Sequence, residues 1–93
     1  MTDQLFYLDH AAATPVDERV LAAMTPYFSQ QFYNPSSPYA PAVQVRRDYE
    51  NAKSRLAATF GAKGDDIVIT AGATESINLA LGSTDRHVVT SAI

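Results

Sequence analysis

Hydrophobic positions along the chain come in short groups set apart by prolines, glycines and small polar residues. Leu5-Phe6-Tyr7-Leu8 is an apolar run of strand length, and Asp9 stops it ahead of Ala11-Ala12-Ala13. Pro15 biases Thr14 toward extended geometry, which predicts a loop across the alanines rather than a helix. Asp17 stands where a helix cap belongs, and Val20, Leu21, Met24, Tyr27 and Phe28 then share one face at helical spacing. That face should pack against something. Pro26 lies inside the pattern and predicts a kink or an altered last turn.

The stretch from Tyr33 to Pro41, with Pro35, Pro38 and Pro41 among serines and an asparagine, predicts a structured loop. Ala42, Val45, Tyr49, Ala52, Leu56 and Phe60 recur every three or four residues, with Arg46, Arg47, Asp48, Glu50 and Lys53 mostly on the other side. This is the clearest helix in the chain, and Gly61 supplies a left-handed stop for it. A turn over 62–66 leads into Ile67-Val68-Ile69-Thr70, β-branched throughout, as suits a strand buried on both faces of a parallel sheet. Ala71 to Thr74 turns the chain, a helix follows from Glu75 to Leu81, Gly82 ends it, and His87-Val88-Val89-Thr90 reads as a second strand. The expected fold class is therefore α/β, with a parallel, right-handed βαβ unit at the C-terminal end. Two parallel strands leave an open edge, so the sequence reads as the front end of a longer protein.

Composition narrows the classes of function. The 93 residues are 46% hydrophobic and 18% charged, which is globular rather than disordered. Seven Lys and Arg against ten Asp and Glu give a net charge of −3, and the only basic cluster is Arg46-Arg47, so neither nucleic acid nor a membrane is an expected partner. There is no cysteine, hence no disulfide and no thiolate metal site. Met1-Thr2-Asp3-Gln4 lacks the basic start and apolar run of a secretory signal, and a cytoplasmic setting is expected.

Chemistry concentrates at Thr70-Ala71-Gly72-Ala73-Thr74-Glu75-Ser76-Ile77-Asn78, where a buried strand runs through a glycine turn into a helix. Free N–H groups of a first helical turn converge on one spot, with the positive end of the helix dipole behind them. An anion suits that spot: Gly72 and Ala73 leave room for it, and the Thr74 hydroxyl can bond a phosphate oxygen. The same residues also admit a plainer reading, in which Thr74 only caps its helix. Nucleotide motifs are absent, since there is neither a G-x-x-x-x-G-K-[ST] nor a G-x-G-x-x-G. His10 and His87 have no partner at metal-ligand spacing, so no metal site is expected, and Lys53 and Lys63 read as solvated.

Three loops carry a resemblance: Tyr7-Leu8-Asp9-His10-Ala11-Ala12-Ala13-Thr14-Pro15, then Asn34-Pro35-Ser36-Ser37, then Thr70 to Asn78, with Arg46-Arg47 between them. Together they resemble the N-terminal quarter of the cysteine desulfurases, class V aminotransferases that use pyridoxal 5′-phosphate (PLP). The resemblance implies fold type I, with residues 1–16 an arm of the small domain and 17–93 the start of the large PLP-binding domain. It implies that Ala73 and Thr74, beside Gly72, hold the cofactor phosphate, and that His10, Ala11, Ala12, Ala13 and Asn34 border the substrate side. It further implies L-cysteine as substrate and a homodimer that passes sulfur to an acceptor or iron–sulfur scaffold protein. The lysine that holds the cofactor and the cysteine that takes the sulfur would both fall after Ile93, so no catalytic residue is expected within these residues and the segment alone should be inactive.

The family usually has Asn at position 10, Thr at 13, Gly at 33 and His at 39, where this chain has His10, Ala13, Tyr33 and Tyr39. Those departures leave other class V enzymes open, a selenocysteine lyase or an aminotransferase. A non-catalytic phosphate-binding module is the reading from a different class.

Overall fold

The computed structural model describes residues 5–92. Met1 to Gln4, where the absence of a leader was read, and Ile93 lie outside the described residues. The chain divides into two compact units, Met1–Tyr49 and Glu50–Ile93.

In the first unit the alanine stretch is a turn, as the prolines predict: the Ala12 and Ala13 amides both donate to the Asp9 carbonyl, at 3.0 and 3.3 Å. Helix α1 spans Glu18–Met24 and is capped by Asp17, whose Oδ1 accepts the Arg19 amide at 2.8 Å. The Arg19 guanidinium turns back onto the same carboxylate, with Nη2 2.9 Å from Oδ2. These two contacts, the guanidinium first, hold the Asp17 carboxyl below its usual range. The chain breaks at Pro26, which has no N–H to continue the ladder and instead opens a new turn of helix, α2 (Pro26–Ser29). Thr25 closes α1 with both its amide and its hydroxyl on the Leu21 carbonyl. The Tyr27 hydroxyl donates to Asp48 Oδ2 at 2.9 Å, a bond that pushes the phenol above its ordinary value.

Helix α3 spans Ala40–Ala58 and starts two residues earlier than the periodicity predicts. Pro41 falls in its first turn, where a missing N–H costs nothing. In the second unit α3 ends as expected at Gly61, whose φ of 70° is left-handed. The Ala62 amide reaches the Ala57 carbonyl at 3.0 Å and the Gly61 amide reaches Ala58 at 3.2 Å, the paired bonds of a Schellman stop. A 3₁₀ turn over Gly64–Asp66 follows, with Asp66 Oδ2 accepting the Lys63 amide at 2.9 Å. Gly64 lies close against Ser54 of α3, where a Cβ would come within 2.8 Å of the serine Oγ. Helix α4 spans Ala73–Gly82, and Ser83 caps its end. Lys53 departs from the sequence reading: its side chain is only 16% exposed, its stem lying along the helix with Nζ 3.8 Å from Glu50.

The expected strands are not formed. Residues 5–8, 67–70 and 87–90 belong to no ladder, and there is no strand among the described residues, so the βαβ unit is absent from this structure. Ile67 has extended dihedrals, φ −97° and ψ 125°, but no neighbouring strand to bond. A parallel pair is weaker per residue than an antiparallel one and depends on a covered sheet of several strands. Burial agrees with this. Among the described residues only Ala42 and Ala57 are fully covered, whereas Leu8 is 91% exposed, and the α1–α2 face of Val20, Leu21, Met24, Tyr27 and Phe28 also meets solvent. No helix among the described residues is long and apolar enough to cross a membrane.

Two predictions follow from these local locks. Replacing Gly61 by Ala forces a Cβ into the left-handed region at a cost of about 1–2 kcal/mol, so exchange of the Ala62 amide should quicken by roughly 5- to 30-fold; an unchanged rate would mean that the stop does not depend on glycine. The Asp17 cap, with its lowered carboxyl pKa, contributes above the unfolded value of about 4 and is lost as pH falls through the folded one. Acid should therefore speed amide exchange at Arg19, and Asp17→Asn should remove that pH dependence.

Candidate functional site

The strongest site is built on the turn that leads into α4. Gly72 is its N-cap and is fully extended, and no side chain caps the helix. The first bond to close is from the Ser76 amide to the Gly72 carbonyl, at 3.2 Å, which leaves the amides of Ala73, Thr74 and Glu75 ahead of the ladder. The plainer reading of Thr74, as the cap, does not describe this geometry: Thr74 is the second residue of the helix. A Cβ placed on Gly72 would meet nothing within 4 Å, so the chain is uncrowded at the cap position itself. N–H groups ahead of the ladder at the positive end of a ten-residue helix, with a hydroxyl on the second residue, are donors of the kind an anion can meet.

Side chains of α4 and of the preceding segment hold the turn. Glu75 Oε2 accepts the Ala71 amide at 2.8 Å. The Thr70 hydroxyl donates to the Gly72 carbonyl at 3.1 Å and is itself bonded to the Ser76 hydroxyl. Because the single Thr70 proton goes to Gly72, Ser76 is the donor in the second bond. The Asn78 side chain donates from Nδ2 to the Thr74 carbonyl at 2.8 Å. Sequence reading treats Glu75, Ser76 and Asn78 only as part of a motif. The signal available was the glutamate three residues after a cap position, the spacing at which a carboxylate reaches back to a free amide. A concavity of about 480 Å³, lined by Val68, Thr70, Ser76, Leu79, Ala80 and Ser83, runs along the side of α4 and does not include Gly72, Ala73 or Thr74.

The residues expected on the substrate side belong to the other unit. His10 packs edge-on against the Tyr7 ring, with centroids 4.8 Å apart. The Tyr7 hydroxyl lies within reach of two carbonyls, Asp9 at 2.9 Å and Ala13 at 2.7 Å, and so spans the loop holding Ala11, Ala12 and Ala13. Sequence reading assigns Tyr7 to an apolar run and misses this role. Asn34 closes a tight turn, its Oδ1 accepting the Ser36 amide at 2.9 Å and its carbonyl accepting the Ser37 amide at 3.0 Å. The Tyr33 ring stacks on Phe32 at 4.6 Å and meets Tyr39 edge-on at 6.2 Å, on either side of that turn. Among the described residues, no hydrogen bond joins Asn34 to the 9–13 loop, and no group of His, Asp or Glu is arranged to hold a metal ion.

Comparison with known proteins supplies the family. A family model described as aminotransferase class-V matches residues 6–92. The chain is 47% identical to a cysteine desulfurase of Frankia sp. (strain EuIK1), over 84% of this chain and 19% of that protein. It is 42% identical to cysteine desulfurase IscS 1 of Archaeoglobus fulgidus, over 94% of this chain and 25% of that protein. It thus spans about a fifth to a quarter of the length of the curated relatives it matches. No solved structure matches it significantly. With a match over nearly its whole length, and the motif at the start of α4 inside it, the chain belongs to the class V aminotransferase family and is similar there to proteins named cysteine desulfurase.

Proposed function

We propose that these residues supply the phosphate cradle of a PLP-dependent cysteine desulfurase. The observation that carries this reading is the uncapped start of α4, where the amides of Ala73 and Thr74 precede the first helical bond and no side chain caps the helix. Family membership says which anion to expect there, and the donor set fits a phosphate monoester. Ala73 would hold it by its amide, and Thr74 by amide and hydroxyl. PLP, when bound, supplies the electron sink that makes cleavage next to the substrate Cα accessible. What this chain contributes is anchoring and orientation.

In this reading L-cysteine is the sulfur donor, alanine the product, and an enzyme persulfide the species that serves iron–sulfur cluster assembly or thio-modification in the cytoplasm. The chain has no cysteine, so the thiolate that takes the sulfur would come from outside these residues, as would the lysine that holds the cofactor. The proposed arrangement places residues 1–16 as an arm of the small domain and 17–93 as the start of the large one, in a homodimer. Segments 67–70 and 87–90 would become neighbouring parallel strands once further strands cover them, which also accounts for the uncovered apolar side chains. His10, Ala11, Ala12, Ala13 and Asn34 would border the substrate. Their loops are held by the Tyr7 hydroxyl and by the Asn34 turn, which supports the positioning of backbone rather than acid–base chemistry.

In the full encoded protein, Thr74→Ala should weaken PLP binding by roughly 10- to 100-fold, the loss of a charge-assisted bond of about 1.5–3 kcal/mol. Thr74→Ser should retain most of the affinity. Pyridoxal, which lacks the phosphate, should bind the wild type and Thr74→Ala equally. Equilibrium titration followed by cofactor absorbance reads all three, and equal PLP affinity in Thr74→Ala and wild type would refute the assignment.

A further inference from the structure

We infer that Glu75 is a positioning residue of the anion cradle, acting through the Ala71 peptide; the inference rests on the phosphate reading of this turn. A carboxylate in the first turn of a helix has two opposing effects on an anionic ligand at the same terminus. Its charge favours the helix by complementing the dipole, but repels a phosphate. Its oxygens can also take up a backbone donor. Here Oε2 accepts the Ala71 amide at 2.8 Å, so the side chain reaches back past Gly72 and fixes the peptide that enters the turn. The Thr70 hydroxyl fixes the Gly72 carbonyl and is backed by Ser76. Asn78 fixes the carbonyl of Thr74 from one turn further along.

Each of these bonds holds a peptide group beside the cradle without using the Ala73 or Thr74 amides. Without the Glu75 bond, Ala71 and Gly72 regain conformational freedom that binding must remove again, and affinity falls. The geometric benefit of Glu75 and its electrostatic cost therefore have opposite signs, so experiment can separate them.

The test compares PLP and pyridoxal binding to the wild-type full encoded protein, Glu75→Ala and Glu75→Gln. Bracing predicts that Glu75→Ala loses PLP affinity by roughly tenfold with pyridoxal unaffected. Glu75→Gln keeps an acceptor without the charge, and should bind PLP at least as tightly as wild type. The inference is overturned if Glu75→Ala binds PLP as well as or better than wild type, which would leave the carboxylate only a repeller. It is overturned equally if alanine and glutamine are alike in their loss, or if Glu75→Ala loses pyridoxal along with PLP, as general damage would produce. A wild-type protein that does not prefer PLP to pyridoxal removes the phosphate reading itself and the brace with it; every other adverse outcome removes the brace alone.

Discussion

Backbone amides at the start of a helix must find an acceptor, and at α4 the described residues do not provide one. Gly72 has no side chain to offer, Thr74 stands two positions past the cap, and the Glu75 carboxylate is already committed to Ala71. In water such donors are solvated at little cost. In a site closed to water they would be expensive unless an anion met them. The proposed function depends on that constraint, since the resemblance and the donor geometry both bear on Ala73 and Thr74.

A second constraint is the apolar surface that the described residues leave uncovered. Two buried alanines are too small a core for a chain in which nearly half of the residues are hydrophobic. The exposed side chains include those whose spacing marks them for packing: the α1–α2 face, Leu56 of the long helix and Phe60 just past its end, and Val68, Ile69, Val88 and Val89 of the expected strands. Helices form here without that cover because their hydrogen bonds are internal. Strands do not, because theirs are made to neighbours.

The same distinction governs what could be read from sequence. Asp17, Pro26 and Gly61 act on their own turn of chain, and each does in the structure what its residue type predicts. Pro41 shifts a boundary by two residues, because a proline in a first turn starts a helix as readily as it ends a loop. That the chain turns near Gly72 into a helix was legible, although not which residue caps it. Sequence could not show that Tyr7 bridges two carbonyls or that Glu75 reaches back to Ala71, since both depend on where a flexible side chain finds a donor or acceptor across a bend. The βαβ expectation rested on β-branched residues whose preference is mainly for a covered sheet, and no sheet is formed here.

The most direct measurement is a structure of the full encoded protein with PLP bound. The account predicts phosphate oxygens about 2.7–3.1 Å from the amide nitrogens of both Ala73 and Thr74 and from the Thr74 hydroxyl. A phosphate held elsewhere, with the start of α4 covered by other side chains, would contradict it.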